Sequence, residues 1–272
     1  MQQRLALAGR RLDTIDAGAF PGRPKGVKPK QLVTDSGAIS GLQERLWAES
    51  RDGGHRSLLL VLQGIDTAGK GGVTEHVVGA CGPIGVQYNS FGKPTDEELA
   101  HDFLWRIRKR LPPAGVIGVF DRSHYEDVLV PRVHQTAGLD EIEARYDQIN
   151  TFEAELADAG TTVLKVFLHI DFDTQRDRLL ARLDNPDKHW KFQEADITER
   201  ARWADYQAAY QAMFDRTDTA TAPWYLVPGN SKPYRNWAVG QLLLETLRAL
   251  DPHYPRPELD VKALKKRLRP PN

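Results

Sequence analysis

The chain carries no net charge, a single cysteine, no internal repeat and no apolar run long enough to cross a bilayer. Each shortage removes a class of explanation. Lys plus Arg and Asp plus Glu both number 37, so bulk attraction to nucleic acid or to an anionic membrane is not expected, and any anion binding has to come from local patterning. Cys81 has no partner for an internal disulfide and no paired histidine; in its apolar, helix-like stretch it reads as a reduced core thiol. No segment approaches the ~20 apolar residues of a membrane span, and the first residues lack the charged start and apolar run of a secretion signal. A cytoplasmic protein is expected, with no membrane and no nucleic acid among its partners.

What is present suits one sizeable α/β domain: 272 residues, 40% hydrophobic and 8% aromatic. Residues 1–35 are polar, contain FPGRPKGVKPK and read as an extended N-terminal arm. Ser40, with Gln43 three residues on, is expected to cap a helix through Leu42, Leu46 and Trp47. Strands are expected at 57–63, 86–91, 116–120, 162–170 and 224–227, and helices at 73–80, from the Thr95/Glu98 capping box to Arg110, at 139–159 and at 236–250. Such alternation predicts a mostly parallel sheet with right-handed crossovers. Residues from about 183 to 216 are aromatic and basic and read as a helical lid on the domain of 36–250; 251–272 is a Pro-rich, then basic, tail.

The apolar run LLLVL leads into GIDTAGKGG, a G-x-x-x-x-G-K pattern between a buried strand and a helix start. Backbone amides from Gly64 through Thr67, Ala68, Gly69, Gly71 and Gly72 are expected to cradle a polyanion, and Lys70 to bridge phosphate oxygens that gain charge in a transition state. Where the pattern usually has a Ser or Thr hydroxyl for magnesium, this chain has Gly71; a carboxylate, Asp66, lies inside the loop instead. An acid facing phosphate calls for a hard cation, and magnesium commonly bridges carboxylate and phosphate. The second carboxylate is expected at the end of another strand, where VIGVF runs into Asp121.

Other charged groups admit two readings. Arg122 either reaches the transferring phosphoryl group or pairs with Glu126 or Asp127, and those acids either hold arginines or touch substrate. Arg178 and Arg182 share a helix face, with Arg176 nearby: they receive a polyanion or belong to a solvated charged surface. Lys188, Trp190 and Lys191 follow a turn at Asn185-Pro186, as in a closing lid that would exclude water. In SFGKPT, Lys93 meets an anion and Phe91 stacks on a base, or the loop is plain surface over a buried Phe. Trp203, Tyr206 and Tyr210 are expected to pack lid helices, and the histidines show neither metal spacing nor a partnered nucleophile.

Five blocks, GIDTAGKGG, SFGKPTDEELAHDFLWR, FDRSHYEDVLVPRVH, LHIDFDTQRDRLLARLDNPDKHWKF and PWYLVPGNSKPYRNWAV, occur in the order found in polyphosphate kinases of type 2, the polyphosphate:nucleotide phosphotransferases, which residues 36–250 resemble. The resemblance implies a three-layer, thymidylate-kinase-like P-loop kinase fold with a helical lid. It also implies magnesium-dependent, reversible transfer of the terminal phosphate of inorganic polyphosphate to AMP and/or ADP, giving ADP or ATP. By the same resemblance Asp66 and Asp121 handle metal and nucleophile, and Lys70 and Arg122 are catalytic. Lys93, Arg106, Arg178 and Arg182 are then phosphate- or nucleotide-binding, and a homodimer or homotetramer is implied. HDFLWR and SHYEDVL look like the branch that uses both AMP and ADP, whereas GKGG and FDRS look like ADP-preferring members, so acceptor preference stays open. Two other functions fit the loop alone: an ATP-dependent nucleoside monophosphate kinase, and a nucleotide-binding regulatory module without turnover.

Overall fold

The structure, a computed structural model, describes residues 1–268. In chain order the elements are α1 (Gln2–Leu5), α2 (Ser36–Ser50), β1 (Ser57–Gln63), α3 (Lys70–His76), β2 (Val86–Ser90), α4 (Asp96–Leu99) and α5 (Trp105–Arg108). They continue with β3 (Ile117–Asp121), α6 (Glu126–His134), α7 (Leu139–Asp158), β4 (Thr161–His169) and α8 (Phe172–Leu183). Then come α9 (Ala195–Ala201), α10 (Trp203–Thr217), β5 (Trp224–Pro228), α11 (Lys232–Leu250) and α12 (Val261–Arg267).

The five strands form one sheet in the order β2-β3-β1-β4-β5, every pair parallel. Apolar β1 lies in the middle with all its residues buried, as a strand covered on both faces must be. Helices α2, α3 and α11 pack together on one side of the sheet; α6, α7 and α10 pack together on the other. Because β1 is flanked by β3 and β4, the loop that leaves its C-terminal end opens into the crevice where the winding direction reverses, the place where open α/β sheets bind ligands. Register sets Leu62 of β1 beside Asp121 of β3, which brings the loop and the second carboxylate to one edge.

Several boundaries differ from the sequence expectation. Asp35, not Ser40, caps α2, its side chain accepting from the Ala38 N–H at 2.9 Å. The Thr95/Glu98 capping box forms, but no continuous helix reaches Arg110. The Asp102 carboxylate accepts from the Leu104 N–H at 3.0 Å, a local bond that competes with the helix ladder and divides the segment into α4 and α5. Helix α6, carrying Pro131, was not anticipated. Helix α11 starts four residues earlier than 236, because Ser231 caps it and Pro233 is tolerated in a first turn.

The N-terminal residues, expected as an extended arm, are irregular but docked. Leu5, Leu7 and Leu12 are buried, the Leu7 N–H donates to the Trp224 carbonyl at 2.9 Å, and Ala6 bridges Tyr225 antiparallel, so the segment covers the β5 edge.

One polar cluster lies wholly inside. Lys165 Nζ on β4 donates to Glu153 Oε2 at 2.7 Å, to the Tyr125 hydroxyl at 2.8 Å and to the Thr217 carbonyl at 2.7 Å. Glu153 Oε1 accepts from the Tyr125 hydroxyl at 2.7 Å. Removing one charge leaves the other uncompensated, so Glu153→Leu is expected to lower the unfolding free energy by about 3–5 kcal/mol. Glu153→Leu combined with Lys165→Met should recover most of that loss in urea titrations.

Candidate active site

The phosphate loop is shaped by backbone positions that few residues tolerate. Gly64 has φ +147°, and a Cβ there would come within 2.7 Å of the Leu168 carbonyl oxygen. Gly69 has φ +108°, and Thr67 itself takes φ +67°. Lys70 is the first residue of α3 and is 8% exposed; its Nζ reaches back across the loop to the Gly64 carbonyl at 2.8 Å. The first amides of α3 have no intrahelical acceptor, so with Gly69 they face outward as donors at a helix N-terminus. The Thr67 hydroxyl is buried without a partner.

Across the crevice, β3 ends on Asp121 and the chain turns through Arg122, whose φ is +65°. That turn is fixed by the Arg122 N–H donating to the Leu62 carbonyl at 3.1 Å. The Arg122 guanidinium donates to Asp66 Oδ1 at 2.7 Å, and Asp121 Oδ2 accepts from the Tyr88 hydroxyl at 3.2 Å. Burial works against the Asp66 charge, but Lys70 and Arg122 outweigh it, and its carboxyl stays below the usual Asp range. Burial likewise opposes the Arg122 charge, while Glu126, Asp66 and Asp121 together hold it on. Of the two readings of Arg122, ion pairing is the one seen in this state, with Asp66 as the partner rather than Glu126 or Asp127.

Asp66 bonds the Arg122 guanidinium and Asp121 lies close enough to add to the charge that holds it, beside a cradle of amides. The donor set is all oxygen and suits a hard divalent cation. Among the described residues no three His, Cys, Asp or Glu side chains gather as a cage. Two carboxylates are what a small hard cation takes when water and substrate phosphate complete its shell.

Glu126 faces the same group of charges. Burial raises its pKa, and Arg122 and Lys70 offset this only in part. A carboxyl raised by folding costs stability once ionised. The cost is absent below its ordinary pKa and grows as pH rises through that value toward the folded one. Glu126→Gln is therefore expected to melt above the parent at pH 7, with the two converging below a pH of about 4.

The remaining candidates separate into two groups. Arg182, at the end of α8, donates to the Lys191 carbonyl at 3.3 Å, lies 3.7 Å from Asp196 and contributes to holding the Asp66 carboxyl down, so it faces the site from the end of α8. Lys93 is exposed on the turn after β2. Arg178 and Arg106, expected at phosphates, are engaged elsewhere. Arg178 donates to the carbonyls of Thr67 at 2.9 Å, Ala68 at 3.1 Å, Gly229 at 2.6 Å and Asn230 at 3.0 Å, which makes it a brace under the loop. Arg106 is 6% exposed and ties the Gly92 carbonyl at 3.0 Å to Asp127 at 3.1 Å. Arg176 pairs with Asp173 and Asp177 on the solvated face of α8. Phe91 packs edge-on against Phe120 at 4.8 Å and belongs to the core, while Trp190 is exposed in the turn before α9. Trp203, Tyr206 and Tyr210, expected to pack lid helices, lie on α10, which packs with α6 and α7; Tyr210 meets Phe167 of β4 edge-on at 4.7 Å, so this helix belongs to the core layer over the sheet.

Sequence reasoning missed two groups. Tyr88 touches Asp121 from an edge strand, where an exposed tyrosine is ordinary and gives no signal. Arg235 lies buried against the loop, and its signal was available: a charge within the apolar face of the helix in PYRNWAV.

The family model for Polyphosphate kinase 2 matches residues 25–255. The AMP/ADP-polyphosphate phosphotransferase of Meiothermus ruber is 46% identical over 249 residues, which cover 92% of this chain and 91% of that protein. The ADP-polyphosphate phosphotransferase of Rhodopseudomonas palustris is 41% identical over 236 residues, covering 82% and 80%. Among solved structures, that of Polyphosphate Kinase 2 from Arthrobacter aurescens TC1 superposes with a TM-score of 0.93 at 49% identity, over 97% of this chain and 94% of that one.

Proposed function

The chain belongs to the polyphosphate kinase 2 family, and from that we propose that it transfers the terminal phosphoryl group of inorganic polyphosphate to AMP and/or ADP, reversibly and with magnesium. The observation that carries this reading is the pairing of a phosphate loop that holds Asp66 but lacks the usual hydroxyl at 71 with the Asp121–Arg122 turn on the facing strand.

The chemistry asks for positioning and charge. An oxygen of the acceptor phosphate attacks the terminal phosphorus of the chain, the bond to the bridging oxygen breaks, and the shortened chain leaves with that oxygen. Little covalent work falls to the protein. Loop amides from Gly64 to Gly72 and Lys70 gather phosphate oxygens at the C-terminal edge of the sheet. In doing so Lys70 exchanges the Gly64 carbonyl for a phosphate oxygen. Asp66 and Asp121 would hold magnesium, which supplies charge neutralisation between donor and acceptor. Arg122, paired with Asp66 in this state, would meet charge that develops on the transferring group. Arg182 and the largely exposed segment from 184 through α9 would approach as a lid and keep water from taking the phosphoryl group, while α10 stays packed on the sheet. A homodimer or homotetramer in the cytoplasm completes the proposal.

The test mixes purified protein, magnesium and polyphosphate with AMP, ADP, GMP or GDP and follows nucleotides by anion-exchange chromatography. ADP from AMP, or ATP from ADP, is expected. No phosphorylated acceptor of any kind would discard the reading. Phosphorylation of AMP by ATP with indifference to polyphosphate would replace it with a nucleoside monophosphate kinase.

A further inference from the structure

Arg235 is 3% exposed, yet its hydrogen-bond partners are all neutral. Its Nη1 donates to the Ala68 carbonyl at 3.2 Å, and its Nε and Nη2 donate to Asn236 Oδ1 at 3.1 and 2.8 Å. Burial, joined by the charge of Arg178, lowers its pKa to about 10, so it remains a cation at neutral pH. A buried ion without a counter-charge costs several kcal/mol, and replacement by an apolar residue would remove that cost.

Two contacts place this charge behind the phosphate loop. First, the guanidinium lies against the glycines: a Cβ at Gly69 would stand 1.7 Å from Nη1, and one at Gly72 would stand 2.6 Å from Nη2. The loop pattern leaves position 72 open, so its glycine answers to Arg235 rather than to phosphate. Second, Arg178 and Arg235 converge on one carbonyl, that of Ala68. The Ala68–Gly69 peptide is trans, so pinning this carbonyl turns the N–H of Gly69 to the opposite edge of the peptide, away from both guanidiniums.

We infer that Arg235 is a positioning residue for the polyphosphate donor: it aims the Gly69 N–H into the phosphate cradle, and its unneutralised charge stands behind the loop as a fixed counter-charge for the polyanion. This rests on the transfer from polyphosphate proposed above. Asn236 orients the guanidinium and, being neutral, leaves its charge free for the substrate.

The discriminating variant is Asn236→Asp, which sets a carboxylate where the amide oxygen now accepts from Arg235. Stability should hold or rise, because a buried cation gains a partner. The KM for polyphosphate of defined length is expected to rise by about tenfold, as when groups supporting a ligand shell are altered, with KM for ADP within about twofold of the parent. Arg235→Met should raise KM for polyphosphate at least as much and lower kcat, and Arg235→Lys, which keeps the charge, should recover part of the loss. Steady-state kinetics with each substrate varied, alongside thermal melting, read these outcomes. An Asn236→Asp enzyme with unchanged KM for polyphosphate would overturn the inference, even if Arg235→Met failed to fold. So would an Arg235→Met enzyme altered only in its melting temperature. A parent enzyme inactive with polyphosphate would instead strike the proposed function, which separates the two failures.

Discussion

Asp66→Asn is expected to lower the rate of nucleotide phosphorylation by about a thousandfold or more while the protein stays folded, as removal of a charge that organises a metal and a phosphoryl group does. The substitution keeps the side chain's shape and one hydrogen-bonding oxygen, so the loop, held by its glycines, by Arg178 and by Lys70, has no reason to collapse. The bond to Arg122 weakens from ion pair to neutral acceptor. Both partners are about a third exposed, at 34% and 37%, so the stability at stake is small. Activity is affected far more, because the carboxylate is the loop's only hard anionic ligand, in a loop that has Gly71 where most phosphate loops have a hydroxyl. Thermal melting and turnover measured on the same preparation check both halves. Retained turnover would remove Asp66 from the mechanism.

Lys70→Ala is the second large effect, expected at about a hundred- to thousandfold in kcat, as for deletion of one preorganised cationic donor. In the structure Nζ is held by the Gly64 carbonyl at 2.8 Å, a resting position across the mouth of the loop. Losing that neutral-acceptor bond costs about 1 kcal/mol of stability. The loss in rate should exceed the loss in stability because the charge meets phosphate oxygens mainly as transfer proceeds. An unchanged kcat with only a higher KM for polyphosphate would show that Lys70 binds the donor in ground and transition state alike.

Sheet and loop were legible because their signals are local. The run LLLVL specifies a doubly covered strand, GIDTAGKGG supplies glycines at 64 and 69 where the turn takes positive φ, and each later strand ends in turn residues. Asp66 and Asp121 could be expected at one edge from sequence because strand ends of a parallel sheet share it, and the register sets Leu62, at the end of β1, beside Asp121. What a local reading could not give was the partner of each arginine. Arg178 and Arg182 lie on the same helix face, yet one bonds two carbonyls of the phosphate loop and two of the 229–230 turn, and the other faces Asp66. That difference depends on where β5 and the 229–230 turn lie, which helix periodicity does not encode. Arg106 is a phosphate or nucleotide ligand by the family resemblance; in this state it bonds Asp127, which arrives from α6, an element hidden in sequence by Pro131. The N-terminal segment misled by composition: most of it is polar, but a few leucines suffice to dock it on the β5 edge.

The decisive measurement follows phosphorus itself. Polyphosphate labelled with radioactive phosphorus is mixed with the protein, magnesium and unlabelled ADP, and the label is traced by chromatography. Transfer from the chain end predicts labelled ATP formed in step with the shortening of polyphosphate, and none from the Asp66→Asn protein. Label released only as orthophosphate, with ADP unchanged, would contradict it.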